Sequence, residues 1–170
     1  MITRKCAPAL AVGCPVVIKP ASQTPYSALA LAVLAEEAGF PKGVINIITG
    51  FANECGKTLT SHPKVDRIAF TGGMQTAKHI VRNSAENLSE VSLELGGKGA
   101  NIIFKDADDE AVERGALRCF RNTGQSCNAP TRMLVEKSIY KETVERVKKF
   151  ANSMKVDIAS KKGDHIGPVV

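Results

Sequence analysis

Residues 16–39 read VVIKPASQTPYSALALAVLAEEAG, in which a β-branched run is followed by an alanine- and leucine-rich run and a glycine. Val16–Ile18 predicts a short buried strand, because β-branched residues fit a pleated, buried surface. Thr24–Pro25 supplies an N-cap and a first-turn proline, and Gly39 is typical of a helix end. The helix between them is apolar nearly all round from Ala28 to Ala35, so we expect it to be well buried.

The alternation of strand and helix continues along the chain. Short apolar runs predict strands at 44–48, 65–70, 91–95, 101–104 and 132–135. Segments with helical spacing separate most of them, and Tyr140, Val144, Val147, Ala151 and Met154 predict an apolar stripe on a last helix. Strands joined by helical crossovers form parallel sheets. The predicted fold class is therefore α/β, a parallel sheet flanked by helices.

The composition is that of a soluble globular protein. Of the 170 residues, 44% are apolar and 24% are charged, and no run approaches the roughly 18 apolar residues that a membrane span needs. The net charge of +6 is spread, with lysines and arginines interleaved with acids. The densest basic segment, 141–162, is interpreted as a solvated helix face. We expect neither a nucleic-acid partner nor a membrane.

The cysteines favour a reducing compartment. There are five, at positions 6, 14, 55, 119 and 127, with no Cys-x-x-Cys pair. An odd number at irregular spacing is not a disulfide framework or a zinc site, so we expect no metal. Pro8, Gly13 and Pro15 interrupt the apolar run near the N-terminus, which excludes a secretion signal. The predicted location is cytoplasmic.

One segment is similar to a phosphate-binding P-loop. Residues 50–58, GFANECGKT, follow a predicted strand and precede a predicted helix. A P-loop has four residues between its two glycines, whereas this segment has five. The extra residue disturbs the backbone N–H groups that would surround a phosphate, so a P-loop nucleotide binder stays a weak alternative.

Five motifs carry a family resemblance. They are KPASQTP at 19–25, EAGFP at 37–41, FTG at 70–72, ELGGK at 94–98 and NTGQSC at 122–127. Their sequence and order resemble the aldehyde dehydrogenase superfamily over essentially the whole chain. The resemblance implies a Rossmann-like sheet, with 1–96 the later part of the NAD(P)-binding domain and 97–170 the beginning of the catalytic domain.

The resemblance implies two catalytic residues. Oxidation of an aldehyde through a covalent intermediate needs a soft nucleophile, for which a thiolate is well suited. Cys127 stands where the family has this nucleophile, in a small polar loop whose N–H groups can bind an oxyanion. Glu94 matches the base that activates water to hydrolyse the thioester. The other four cysteines are expected to be inert packing residues.

The expected cofactor is NADP or NAD. Lys19 resembles the family lysine that contacts the adenosine ribose, and Ser22 stands where relatives that prefer NAD often have glutamate. The small neutral Ser22 leaves room for a 2′-phosphate, which favours NADP. Thr71-Gly72-Gly73 resembles the turn facing the pyrophosphate, although the family usually has serine at residue 73 and glycine at residue 77. Leu95 belongs to the motif that approaches the cofactor.

The expected substrate is a small aldehyde. Residues 120–125, FRNTGQ, resemble the succinate-semialdehyde dehydrogenase branch, in which the arginine at Arg121 faces the substrate carboxylate. That branch has a second cysteine two residues after the nucleophile, whereas this chain has Ala129 there. A redox switch between neighbouring thiols is therefore not expected.

The resemblance also implies that parts of the family's active site lie outside the chain. The oxyanion-binding asparagine is expected just before Met1, and the glutamate for the nicotinamide ribose beyond Val170. We therefore expect a central fragment of a homo-oligomeric parent enzyme, without appreciable activity of its own. The alternatives are a non-catalytic remnant, a nucleotide-binding fragment, or a dehydrogenase of another aldehyde class.

Overall fold

A computed structural model of the chain describes residues 1–169, in which helices and strands alternate. The order is α1 (Ile2–Ala11), β1 (Val16–Ile18), α2 (Tyr26–Glu37), β2 (Ile45–Ile47), α3 (Lys57–Ser61), β3 (Arg67–Gly72), α4 (Met74–Ser84), β4 (Glu90–Leu95), β5 (Ala100–Ile103), α5 (Ala111–Phe120), β6 (Arg132–Val135) and α6 (Tyr140–Ser153). None of these helices is long and apolar enough to cross a membrane.

The strands pair in three two-stranded sheets. β1 is parallel to β2, with Val16 opposite Ile45, and α2 connects the two strands. β5 is parallel to β6, with Ile102 opposite Leu134, and α5 makes the crossover. β3 pairs with β4. Parallel strands need a crossover of a dozen or more residues, usually a helix. Both parallel pairs have such a helix between their strands, which confirms the α/β prediction.

The chain divides into two compact units, Met1–Glu94 and Leu95–Val170. Each has its own buried apolar residues: Ala28, Ala35, Ile68, Ala77 and Ile80 in the first, and Ile103, Val112, Ala116 and Ala129 in the second. Five of these nine are alanines, which let the backbones of neighbouring elements approach closely.

The prediction that α2 is well buried was wrong. Only Ala28 and Ala35 are buried on this helix, whereas Val33 and Leu34 are 57% and 58% exposed. Burial follows the two alanines, because the helix packs one narrow face toward β2. Thr24 is also not a side-chain cap: the helix begins after Pro25 without a side-chain hydrogen bond at its N-terminus.

The segment similar to a P-loop is helical. Residues Ala52–Gly56 form one π-helical turn that continues directly into α3. The Cys55 and Gly56 N–H groups both donate to the Phe51 carbonyl oxygen, at 3.0 and 3.3 Å. These donors are therefore used within the turn and do not surround an empty phosphate site.

The buried face of α6 differs from the predicted apolar stripe. Thr143 is 3% exposed, whereas Tyr140 and Val144 are 54% and 44% exposed. α6 packs against α5, and the ion pair between Arg146 and Glu113 lies on the same side of α6 as Thr143. The later members of the predicted stripe, Val147, Ala151 and Met154, are half-buried.

The ion pair between α5 and α6 is bidentate. Arg146 Nε donates to Glu113 Oε1 at 2.9 Å, and Arg146 Nη2 donates to Glu113 Oε2 at 2.6 Å. The same Nη2 also donates to the Asp109 carbonyl oxygen. The hydrogen bonds from Arg146 hold the pKa of Glu113 below its ordinary value.

We expect this pair to give the chain acid-sensitive stability. The folded pKa of Glu113 is depressed, so its contribution is present above the unfolded pKa of about 4.3 and is lost as the pH falls through the folded pKa. Glu113→Gln should lower the free energy of unfolding at pH 7 by about 0.5–1 kcal/mol, because a third of each side chain is exposed. Urea titrations at pH 7 and pH 3 should show the wild-type advantage shrinking at the lower pH. An undiminished advantage at pH 3 would contradict this assignment.

Candidate active site

The loop after β1 is tied to the end of β2. Lys19 is half-buried, and its Nζ donates to the Pro20 carbonyl oxygen at 2.9 Å. Ser22 is exposed, and its Oγ donates to the Gly50 carbonyl oxygen at 3.3 Å. Two of the three ammonium donors of Lys19 remain for a ligand.

A cavity of about 190 Å³ lies within this loop. Its lining residues are Pro20, Ala21, Ser22, Pro25, Thr49, Gly50 and Phe51. The lining combines apolar side chains with the Ser22 and Thr49 hydroxyls, and no carboxylate contributes to it. These hydroxyl groups, with no carboxylate beside them, fit either a free ribose or a ribose that carries a phosphate.

The N-terminus of α4 is open. Gly73 occupies the cap position in an extended conformation, and no side chain caps the helix. The first turn contains no acidic residue, so the unpaired N–H groups and the helix dipole favour an anion there. A Cβ at Gly73 would meet no atom within 4 Å, whereas a Cβ at Gly72 would lie 2.5 Å from the Phe70 ring. Thr71 and Gly72 are the last two residues of β3.

Glu94 is the penultimate residue of β4. It is exposed, whereas Leu93 and Leu95 on either side are half-buried, as expected for side chains that alternate across a strand. The carboxylate is therefore in contact with water. Leu95 ends the strand before Gly96.

A left-handed turn follows α5. Arg121 is exposed at the end of the helix, and Asn122, Thr123 and Gly124 all have positive φ angles, of 54°, 56° and 72°. The Gln125 N–H closes the turn on the Asn122 carbonyl oxygen at 3.0 Å. This turn redirects the chain immediately before Cys127.

Cys127 lies at the tip of a β-turn. The Ala129 N–H donates to the Ser126 carbonyl oxygen at 3.0 Å, which makes Cys127 and Asn128 the two central residues of the turn. Cys127 is exposed, whereas Ala129 is 1% exposed. Within residues 95–169, the N–H groups of Cys127 and Asn128 donate to no protein acceptor. The thiol is thus accompanied by two available backbone donors.

The other cysteines differ in their surroundings. Cys6, Cys55 and Cys119 are half-buried, and burial raises the pKa of the Cys6 thiol. Cys14 is exposed, so the expectation that it packs inside the protein was wrong. It follows the end of α1 and the turn at Gly13, where no neighbouring element covers it. Cys14 and Cys127 are the two exposed thiols in residues 1–169.

The predicted residues divide between the two units. Lys19, Ser22, the 71–73 turn and Glu94 lie in the first, and Leu95, Arg121 and Cys127 lie in the second. Lys19 and Ser22 share one loop, and Arg121 adjoins the turn that leads to Cys127. One wall of the 190 Å³ cavity is formed by Thr49–Phe51, which was not predicted from the sequence. Gly50, a glycine directly after a predicted strand, was the feature of the sequence that could have indicated it.

Comparisons with known proteins agree with one another. A family model described as the aldehyde dehydrogenase family matches residues 1–170. The chain is 44% identical to the NADP-dependent succinate-semialdehyde dehydrogenase of Escherichia coli, over all of this chain and 36% of that protein. It is 51% identical to the (Z)-2-((N-methylformamido)methylene)-5-hydroxybutyrolactone dehydrogenase of Acinetobacter baylyi, over 97% of this chain and 34% of that protein.

A solved structure extends the likeness to three dimensions. The crystal structure of a cysteine-to-alanine variant of aldehyde dehydrogenase C from Pseudomonas syringae, in complex with NAD⁺ and octanal, matches with a TM-score of 0.90. It is 38% identical, over 99% of this chain and 35% of that chain. The chain therefore spans about a third of the length of the relatives that it matches.

Proposed function

Because the chain belongs to the aldehyde dehydrogenase family, we propose that it supplies the nucleophile, the general base and part of the cofactor site for NAD(P)-dependent oxidation of an aldehyde. The observation that carries this proposal is the exposed Cys127 thiol at a turn tip with two available N–H donors. A non-catalytic remnant would have no need of this arrangement.

The proposed chemistry begins at Cys127. Its thiolate attacks the aldehyde carbon, a C–S bond forms, and the π electrons of the carbonyl group move to oxygen. The Cys127 and Asn128 N–H groups can donate to this oxyanion, and one such donor is typically worth about 10²–10³ in rate. When the oxyanion re-forms the carbonyl group, the same carbon loses a hydride and Cys127 carries a thioester; the nicotinamide that the first unit would hold would supply the hydride acceptor.

Glu94 is proposed to complete the cycle. Its exposed carboxylate takes a proton from water, the resulting hydroxide attacks the thioester carbon, and the C–S bond breaks. The products are a carboxylic acid and the free Cys127 thiolate. An exposed carboxylate on a strand end suits this role, because water must reach the base in every turnover.

The cofactor is proposed to bind the first unit. Ser22 borders the 190 Å³ cavity, which fits the adenosine ribose, and Lys19 lies in the same loop, where its free ammonium donors can reach a ribose oxygen. The open N-terminus of α4 at Gly73, together with Thr71 and Gly72, fits the pyrophosphate. We further propose that residues 1–96 belong to the NAD(P)-binding domain and that 97–170 begin the catalytic domain. The division of the chain between Glu94 and Leu95 supports a boundary close to this one. Leu95, which follows Glu94 directly, is also proposed to contact the cofactor.

Arg121 is proposed to select the substrate. Its exposed guanidinium can pair with a carboxylate on the far end of an aldehyde such as succinate semialdehyde. Similarity to the E. coli succinate-semialdehyde dehydrogenase supports this choice. The higher identity to the A. baylyi dehydrogenase favours a second candidate, an aldehyde of a different class.

A chimera can test the proposed function. This chain would replace the matching third of the E. coli relative, and formation of reduced cofactor would be followed with succinate semialdehyde and with acetaldehyde. We expect turnover with succinate semialdehyde that exceeds turnover with acetaldehyde. A folded chimera that oxidises neither aldehyde would contradict the proposal, and equal rates would contradict the role of Arg121.

We expect Ser22 to influence cofactor choice. Ser22→Glu in the chimera would place a carboxylate where it accepts hydrogen bonds from ribose hydroxyls and repels a 2′-phosphate. The ratio of kcat/KM with NAD to that with NADP should rise by about 10–100-fold, the range expected for gain or loss of charged hydrogen bonds. Ser22→Thr is the control, because it keeps the hydroxyl that donates to Gly50. An unchanged ratio in Ser22→Glu would exclude Ser22 as a determinant.

A further inference from the structure

Three successive residues before the Cys127 turn adopt the left-handed conformation. Asn122 has φ 54° and ψ 36°, and Thr123 has φ 56° and ψ 29°. Asparagine and glycine tolerate this region, but a β-branched threonine is opposed there by its own side chain. Thr123 therefore needs other interactions to stay in this conformation, and such outliers are concentrated at functional sites.

Side-chain hydrogen bonds supply those interactions. Gln125 Nε2 donates to Thr123 Oγ1 at 2.7 Å, and Thr123 Oγ1 donates to the Asn122 carbonyl oxygen at 2.7 Å. Asn122 Nδ2 in turn donates to the Gln125 carbonyl oxygen at 3.2 Å. With the backbone bond from Gln125 to Asn122, these contacts form a closed network around the turn.

The far side of the Cys127 turn is held by packing. Ala129 is 1% exposed, and a Cβ at Gly99 would lie 3.6 Å from its carbonyl oxygen. A Cβ at Gly97 would likewise lie 3.9 Å from the Cys127 carbonyl oxygen. The backbone is thus fixed after Cys127 by the buried Ala129, and before it by the hydrogen-bonded turn.

We propose that Thr123 and Gln125 are positioning residues whose side chains hold the left-handed turn and thereby fix the Cys127 thiol beside its two backbone donors. This inference rests on the proposed function, because it assigns the turn to the proposed nucleophile. Only five residues, 124–128, separate Thr123 from the buried Ala129. If the left-handed turn at Thr123 changes its conformation while Ala129 stays in place, the backbone of Cys127 must move. The Thr123 hydroxyl is central to this hydrogen-bond network, because it accepts a hydrogen bond from Gln125 and donates one to the Asn122 carbonyl oxygen.

Alkylation of the full 170-residue chain tests this role. Iodoacetamide would be applied briefly, and the labelled peptides quantified by mass spectrometry as the ratio of Cys127 to Cys14, the other exposed thiol. In the wild type, we expect Cys127 to be labelled faster, because two available backbone N–H donors lie beside its thiol. Thr123→Val should lower the ratio by about threefold to tenfold, the factor that one or two neutral hydrogen bonds are worth.

Two further variants separate positioning from folding. Thr123→Ser keeps the hydroxyl and should retain the wild-type ratio. Gln125→Met removes the donor to Thr123 without changing a left-handed residue, and should lower the ratio as Thr123→Val does. The half-buried Cys6, Cys55 and Cys119 report unfolding, and their labelling should not rise in Gln125→Met.

The outcomes distinguish the two hypotheses. A wild-type Cys127 that is labelled no faster than Cys14 would contradict its role as nucleophile, and with it the proposed function. A faster wild-type Cys127 whose ratio is unchanged in both Thr123→Val and Gln125→Met would overturn only the positioning role. Loss of the ratio in Thr123→Ser would also overturn it, because the hydroxyl would then not be the group that matters.

Discussion

Cys127→Ala is expected to abolish aldehyde oxidation in the chimera with the E. coli relative. No other side chain in the NTGQSC loop is a comparably strong nucleophile toward the aldehyde carbon, so turnover should fall by about 10⁴-fold or more. The absorbance of the reduced nicotinamide gives the rate directly. Affinity for the cofactor should change little, because the residues proposed to bind the ribose and the pyrophosphate lie in the first unit.

The other cysteines provide matched controls for this prediction. Cys14→Ala removes the second exposed thiol, and Cys119→Ala removes the half-buried thiol nearest in sequence. Both variants should keep most of the activity. Cys127→Ser keeps the size of the side chain but supplies a much weaker nucleophile, so it should be nearly as inactive as Cys127→Ala. Substantial activity in either Cys127 variant would assign the nucleophile to another residue.

The strands were predicted well because their signal is local. Val16–Ile18 and Arg132–Val135 begin and end where the sequence analysis placed them. Short apolar runs bounded by proline, glycine or charged residues leave little choice of where a strand begins and ends. Their parallel pairing was predicted from the intervening helices. A helical crossover returns the chain to the end of the sheet at which the first strand began, so the next strand runs in the same direction.

Exposure could not be predicted in the same way. Periodicity shows which residues are apolar, but it does not show which neighbouring element covers them. Val33 and Leu34 on α2 are more than half exposed, although their sequence is typical of a buried helix. Thr143 on α6 is buried, although it is polar, because it lies on the side of the helix that packs against α5 and carries Arg146.

The candidate site shows the same division. The family resemblance carried by the NTGQSC motif predicts Cys127 as a nucleophile, and this remains a prediction. The left-handed turn before it was not predicted, because Thr123 has a local preference against that conformation. Its geometry depends on side-chain hydrogen bonds from Asn122 and Gln125, which local propensity does not include. Such conflicts between local preference and structure are expected at functional sites.

Glu94→Gln in the chimera is expected to separate the two halves of the reaction. The amide cannot take a proton from water, so hydrolysis of the Cys127 thioester should slow by about 10²–10⁴-fold, the usual contribution of a general base. Attack by Cys127 and hydride transfer do not need this carboxylate. Rapid mixing should therefore show a burst of one reduced nicotinamide per active site, followed by slow steady-state turnover.

Glu90→Gln is the matched control for this prediction. Glu90 is an exposed glutamate at the other end of the same strand, where its Oε2 lies 2.6 Å from Arg67 Nη1. Both side chains of that pair are more than half exposed, so its loss should cost little stability and leave the steady-state rate unchanged. An added thiol nucleophile such as β-mercaptoethanol should accelerate turnover of Glu94→Gln, because it attacks the thioester without a general base. If Glu94→Gln shows no burst, or if its steady-state rate equals that of Glu90→Gln, then the base that activates water is a different residue.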